Sequence, residues 1–260
     1  MIQDPPTSAL KESESAERVA KTRFIRRMFD TIAPDYDRLN TWVSMGMDRR
    51  WRRRAVRQMP SEGLIVDWCS GTGDMAAEYL KRPGNLGRVV MCDFSTEMRL
   101  LADSKIGPAG AGRSWYVCCD VTRSPFRDRV FDGQMQGFAI RNLFNRPAFF
   151  AEASRTSAPS GVGALLDLST PRNRIWRAIC NLHFRIIAPR LVALVAGRGV
   201  FAYRYLSESV EHNATAEQVT GEMASAGLRE SRYEPLAGGI GALFIWGPGK
   251  RGSATPPVSR

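Results

Sequence analysis

The chain predicts an α/β fold built on a mostly parallel sheet, and three observations predict it. Short apolar runs alternate with helical stretches from residue 64 onward, a glycine turn directly follows the first run, and an aspartate closes each of the next two. With 260 residues, 43% apolar and 24% charged, the chain can bury one substantial core, so a single domain with embellishments is expected.

Residues 1–18 mix acids, prolines and serines without an apolar core segment and read as a disordered lead-in, resembling neither a signal peptide nor a transit sequence. From Glu17 to Met59 the pattern is helical, broken at Pro34. In its second half, from Trp42, residues Trp51, Ala55, Val56 and Met59 face inward, and the arginines Arg49, Arg50, Arg52, Arg53, Arg54 and Arg57 face outward.

Strands are expected at Leu64–Trp68, Arg88–Cys92, Ser114–Cys118, Phe131–Gln136 and Val162–Leu168, each ending at the sheet's carboxyl edge, where open α/β sheets bind ligands. Two more, Arg229–Pro235 and Ala242–Trp246, form a hairpin around Gly238-Gly239. The segment 174–206 breaks the rhythm: it is long, apolar and interrupted by Pro189 and Gly197, and it reads as a helical lid inserted over the active face. The domain therefore runs over 19–249, and the glycine- and proline-rich tail, 250–260, reads as disordered.

Ile65-Val66-Asp67-Trp68-Cys69-Ser70-Gly71-Thr72-Gly73-Asp74 places the glycine turn between a strand and a helix starting near Asp74. Glycines there let the backbone approach a ligand closely. Gly71, Gly73 and Ala76 also satisfy a dinucleotide fingerprint with alanine in third place. Asp67 separates the two readings. An acid at this strand end repels a pyrophosphate but suits a cation, and S-adenosylmethionine carries an α-ammonium and a sulfonium. Asp93 closes the second strand, where a carboxylate accepts from ribose hydroxyls, and Asp120 the third, where it accepts from an adenine amino group. Three strand-end acids in register favour the methyl donor, although each alone could be a helix cap or a solvated loop acid.

Five cysteines, Cys69, Cys92, Cys118, Cys119 and Cys180, show no metal-ligand spacing, and the adjacent pair would point to opposite faces of a strand, so a reduced, cytoplasmic protein without metal is expected. No run approaches the roughly 18 apolar residues of a membrane span. The net charge of +11 fits an anionic partner, or solubility alone. Nucleic acid is disfavoured because no aromatics interleave with glycines on a strand. The two histidines, His183 and His212, are given no catalytic role because neither closes a strand.

Several motifs are more specific than the glycine loop. Met28-Phe29-Asp30-Thr31-Ile32-Ala33-Pro34-Asp35-Tyr36-Asp37-Arg38-Leu39-Asn40, Ser44-Met45-Gly46-Met47-Asp48-Arg49-Arg50-Trp51-Arg52, Asp93-Phe94-Ser95-Thr96-Glu97-Met98, Arg141-Asn142, Ala202-Tyr203-Arg204-Tyr205-Leu206 and Gly238-Gly239-Ile240 together resemble the ubiquinone/menaquinone biosynthesis C-methyltransferase family, from about Val19 to Lys250. The resemblance implies a Rossmann-like class I methyltransferase fold, seven strands with one antiparallel, and C-methylation of a prenylated benzoquinol or naphthoquinol. It further implies that Thr72, Asp93, Asp120 and Val121 contact the donor, while Tyr36, Arg141 and Asn142 stand on the acceptor side as candidate catalytic residues. Asp67, Gly71, Gly73, Phe94 and Gly137 complete the expected donor site. The chain departs from the family at Gly137, where serine is usual, at Ser70, at Thr156–Gly161 and at His212-Asn213-Ala214. Those departures keep open another small aromatic or polyketide-like acceptor. A basic nucleic-acid binder without catalysis is the rival of a different class. A prenyl tail suggests that the lid closes a greasy channel and that the arginine cluster rests on anionic headgroups at the membrane's inner face. A homodimer through the late hairpin is a further expectation.

Overall fold

The computed structural model describes residues 27–31, 33, 36–44, 46–183, 186, 190 and 214–248. The expected lead-in and tail, His212, and the lid beyond Leu182 except His183, Ile186 and Arg190 lie outside the described residues.

In chain order the elements are α1 (Tyr36–Val43), α2 (Met47–Val56), β1 (Leu64–Trp68), α3 (Asp74–Leu80), β2 (Arg88–Cys92), α4 (Thr96–Ile106), β3 (Ser114–Val117), β4 (Phe131–Gly137), α5 (Arg146–Thr156), β5 (Ser157–Leu168), α6 (Arg174–Leu182), α7 (Ala216–Ser225), β6 (Arg232–Leu236) and β7 (Gly241–Trp246). The strands form a seven-stranded sheet in the order β3-β2-β1-β4-β5-β7-β6. Neighbours are parallel except at β5/β7 and β6/β7, so β7 alone runs against the rest. The chain winds outward from β1 to β3 and then returns to β4 on β1's other side. That reversal opens a crevice between the carboxyl ends of β1 and β4.

Each face of the sheet has its own apolar layer. One packs α2, α3 and α6 through Trp51, Val56, Tyr79, Met135, Leu166 and Cys180. The other packs α5 and α7 through Trp68, Phe131, Phe149, Met223 and Trp246. Trp68 meets Phe126, Phe131 and Phe149 edge-on, with centroids about 6 Å apart. Its indole N–H donates to Gln134 Oε1 at 2.9 Å, which satisfies a donor at the sheet centre.

Four expectations need correction. β5 begins at Ser157, not Val162: Ser157 pairs with Phe131, and the register shifts before Val162 meets Gly133. The Ala-Pro-Ser-Gly stretch inside that irregularity has no apolar alternation to reveal it. β6 begins at Arg232 rather than Arg229, because Glu230 takes φ 53° in the preceding turn. β3 ends at Val117, so Cys118 and Cys119 are not strand neighbours on opposite faces; Cys119 instead packs, partly buried, against the second apolar layer. On α2, Arg52 points inward at 7% exposure while the other five arginines of the cluster are exposed. Buried carboxylates at Asp48 and Asp74 make the inward position tolerable.

Candidate active site

The crevice is a cavity at the carboxyl edge of β1–β4, closed on one side by residues from the N-terminal helical segment. Of the expected residues, Tyr36, Gly71, Asp93, Phe94, Asp120, Val121, Gly137 and Asn142 line it. Asp67, Thr72, Gly73 and Arg141 are not among its lining residues.

At the β2 and β3 ends the geometry is that of an acceptor-rich edge. Asp93 Oδ2 accepts from the Gly71 N–H at 2.8 Å and Oδ1 from the Ser95 N–H at 3.0 Å, which fixes the carboxylate across the mouth of the glycine loop. Burial raises the Asp93 pKa, opposed by the N–H groups of Ser95, Gly71 and Phe94. Asp120 Oδ1 accepts from the Thr122 N–H and hydroxyl at 2.9 and 2.7 Å, an aspartate turn that holds the residue at the cavity edge.

Behind the loop, Asp67 is 1% exposed. Its Oδ2 accepts from the Ala76 N–H at 3.1 Å, while Oδ1 has no hydrogen-bond partner. Burial pushes its pKa up to about 8. A buried carboxylate with an unused oxygen beside a glycine loop is suited to a cationic ligand group. Gly73 caps α3 at φ 75°, and a Cβ there would sit 2.9 Å from that of Ala102, so this glycine serves helix packing. The Thr72 hydroxyl donates to Asp37 Oδ1 at 2.7 Å and accepts from Lys105 at 2.8 Å. Lys105 also pairs with Asp37 at 2.6 Å and with Asp74. With the Ser95–Asp30 hydrogen bond, these contacts tie the N-terminal helical segment to the β1 and β2 loops.

The rest of the lining is more apolar. Phe29 and Tyr36 meet edge-on at 5.8 Å, and Phe138, Leu143 and Phe144 continue the lining. Burial raises the Tyr36 pKa, opposed by a hydrogen bond with Asn40 and by the charges of Arg52 and Arg141. Asn142 Oδ1 is buried without a hydrogen-bond partner. Arg141, 6% exposed at its side chain, pairs with Asp167, whose Oδ2 also accepts the Arg141 backbone N–H at 2.9 Å. Its Nη1 donates to the Phe138 carbonyl at 2.9 Å, and its Nε remains unpartnered. The sequence reading missed Asp167, Arg52, Lys105, Asp30 and Asp37 as supports, because their partners lie far along the chain, from 22 residues for Arg52 and Asp74 to 68 for Lys105 and Asp37. Phe29 and Met98 stood inside quoted motifs, so motif membership was the one available signal for them.

The ubiE/COQ5 methyltransferase family model matches residues 16–247. The chain belongs to the ubiE/COQ5 methyltransferase family. Among curated members, the ubiquinone/menaquinone biosynthesis C-methyltransferase UbiE of Geobacter sulfurreducens is 35% identical over 223 residues, covering 85% of this chain and 86% of the relative. That of Xylella fastidiosa strain M23 is 30% identical over 247 residues, covering 89% and 97%. Solved structures support the fold: a SAM-dependent methyltransferase from Aquifex aeolicus matches with TM-score 0.53 at 17% identity, covering 76% of this chain and 88% of that one. A SAM-dependent methyltransferase from Thermotoga maritima, described as a possible histamine N-methyltransferase, matches with TM-score 0.60 at 13% identity, covering 85% and 98%. The ubiE/COQ5 fold is thus the class I methyltransferase fold expected from the sequence, β7 supplying its antiparallel strand. Among the described residues no group of histidine, cysteine or acidic side chains could hold a metal ion, and no helix is long and apolar enough to cross a membrane.

Proposed function

We propose that the protein uses S-adenosylmethionine to methylate a ring carbon of a prenylated quinol in respiratory quinone biosynthesis. The observation that carries this reading is one cavity with two unlike ends. Fixed acids and the glycine loop mark one end; an apolar wall with an unpartnered Asn142 acceptor marks the other. Family membership and the names of the UbiE relatives support the same reaction.

The donor's chemistry fits the residues present. Asp93 holds the ribose hydroxyls, Asp120 and Val121 the adenine, and the unused Asp67 oxygen meets the cationic end. S-adenosylmethionine supplies, when bound, an electrophilic methyl on a sulfonium whose transfer neutralises charge. Alignment in a water-poor cavity can therefore provide much of the acceleration.

A hydroquinone ring carbon is electron-rich, and more so once a ring hydroxyl is deprotonated; it takes the methyl as the methyl–sulfur bond breaks, leaving S-adenosylhomocysteine, and the ring then gives up its hydrogen as a proton to a general base. Asn142 Oδ1 orients that hydroxyl, and the Arg141 guanidinium stabilises the phenolate directly or through a polarised water. Guanidinium stays protonated, so Arg141 is an electrostatic partner and not the base. Asp167 keeps it oriented while leaving Nε available. Tyr36 and Phe138 flank the ring.

A long prenyl tail places the acceptor in a bilayer, and two surfaces on one layer of the fold suit a peripheral contact with anionic lipid. α2 exposes Arg49, Arg50, Arg53 and Arg54, and its C-terminal cap exposes Arg57. α6 exposes Ile175, Ile179 and Leu182 at 75%, 50% and 52%, a single helical stripe. From Ser169 to Ser207 the sequence holds seven arginines and no acid. Sedimentation with vesicles tests the contact: preference for anionic over neutral lipid is expected, and equal binding or none would count against it.

The reaction itself is tested by incubating purified protein and S-adenosylmethionine with chemically reduced demethylmenaquinone, beside a demethylated ubiquinone precursor, and weighing the lipids by mass spectrometry. One added methyl on either quinol, and none on the oxidised forms, is expected. No gain on either, with donor binding confirmed, would move the acceptor to another small aromatic.

A further inference from the structure

Arg52 is a buried cation whose hydrogen-bonding capacity is not filled. Its Nε has no hydrogen-bond partner. Its ion pairs are loose: 3.2 Å from Nη2 to Asp74 Oδ2 and 3.8 Å from Nε to Asp48 Oδ2. By contrast, the more exposed Arg54 donates twice to Glu234 at 2.7 and 3.0 Å. A guanidinium removed from water without matched acceptors is costly, so this one calls for a further partner.

Its position says where that partner lies. The Arg52 guanidinium carbon sits 5.0 Å from the centre of the Phe138 ring. A Cβ on Gly137 would stand 3.0 Å from Nη1, and both Gly137 and Phe138 line the cavity. The absent side chain at 137 leaves the guanidinium room at the wall. Its charge reaches both Asp67 and Tyr36, which places it where the β1 and β4 ends face each other.

The donor is linear in chemistry: adenine, ribose, sulfonium, then an amino-acid end bearing ammonium and carboxylate. The strand order β3-β2-β1-β4 offers Asp120, Asp93, the β1 loop and Gly137 in the same sequence. With adenine and ribose at the first two, the amino-acid end falls over β1 and β4. Asp67 provides for the ammonium; the carboxylate needs a cation. Lys105 is held by Asp37, Asp74 and Thr72; Arg141 also keeps an unpartnered Nε, but its Nη1 is committed to Asp167 and to the Phe138 carbonyl, on the side proposed for the acceptor. Resting on the donor reading above, we propose that Arg52 binds the α-carboxylate of S-adenosylmethionine.

Isothermal titration of the full-length protein with S-adenosylmethionine and with its decarboxylated analogue tests this. The wild type should prefer the carboxylated ligand by roughly 10- to 100-fold, the range of a charge-assisted hydrogen bond lost from a buried site. Arg52→Gln should erase that preference by weakening S-adenosylmethionine alone, and Arg52→Lys should keep part of it. Equal weakening of both ligands would reduce Arg52 to a structural role. Unchanged donor binding with a raised KM for quinol would assign it to the acceptor instead. Either result overturns the proposal, as does a wild type that binds both ligands equally, a comparison that holds even if Arg52→Gln does not fold. Failure of the wild type to bind S-adenosylmethionine at all would overturn the donor reading itself.

Discussion

The two ends of the cavity are built in different ways. The end proposed for the donor comes from consecutive strand-loop units, and Asp93 there is locked by backbone N–H groups of Gly71 and Ser95. The end proposed for the acceptor is assembled from distant pieces: Phe29 and Tyr36 from the N-terminal segment, Phe138 to Asn145 after β4, and Asp167 at the end of β5. It also keeps unpartnered atoms, on Asn142 and Arg141. Both ends keep unpartnered buried atoms, Asp67 Oδ1 and Arg52 Nε at the first and Asn142 Oδ1 and Arg141 Nε at the second; the first are set to meet fixed ligand charge, the second charge that develops during reaction.

The largest expected effect breaks the acceptor end alone. Arg141→Ala should lower kcat by roughly 10²- to 10³-fold, the range for losing one positioned donor to developing negative charge, with the donor Kd within a few-fold of wild type. Steady-state kinetics beside calorimetry checks this; turnover within a few-fold of wild type would confine Arg141 to holding its loop through Asp167.

Asp93→Asn should act at the other end, weakening the donor by roughly 10- to 100-fold through loss of a charged acceptor. The donor Kd by calorimetry reads it.

Asp67 sharpens the contrast through pH. Its folded pKa, about 8, lies above the ordinary 3.8, so the folded state holds a proton that the unfolded state has lost across that window. Stability contributed by this group therefore falls as pH rises from about 4 to 8 and levels off above. Asp67→Asn should flatten that decline in thermal unfolding. A cationic donor favours the ionised form, so binding at pH 7 should release a proton from Asp67. Calorimetry in buffers of different ionisation enthalpy should detect that release in the wild type and not in Asp67→Asn.

The smallest effect concerns packing behind the donor loop. Gly73→Ala combines φ 75° with a Cβ 2.9 Å from Ala102, and should cost about 1–3 kcal/mol of stability. Denaturant unfolding measures it; no loss would show that α3 and α4 can shift apart.

The same division decided how much the sequence disclosed. β1 and β2 were legible to the residue because apolar runs ended at an aspartate or a glycine turn, and Asp93, Gly71 and Asp120 could be placed from local order alone. The late hairpin was legible from Gly238-Gly239, which take φ 69° and 95° in its turn. The start of β5 was not, because Ala158 to Gly161 interrupt its pairing. Arg52 was misplaced because a charged residue beside five other arginines looks solvated until Asp48 and Asp74 are seen. Family motifs, not periodicity, pointed to Tyr36, Arg141 and Asn142, and nothing local announced Asp167 as the partner of Arg141.

The division of labour is tested most directly by methyl transfer to reduced demethylmenaquinone at saturating S-adenosylmethionine, with wild type, Asp93→Asn and Arg141→Ala side by side. Asp93→Asn should recover turnover near that of the wild type once donor is saturating, and Arg141→Ala should stay slow at every concentration. Recovery of Arg141→Ala by added donor would contradict the account, as would an Asp93→Asn enzyme that remained slow with its donor site full.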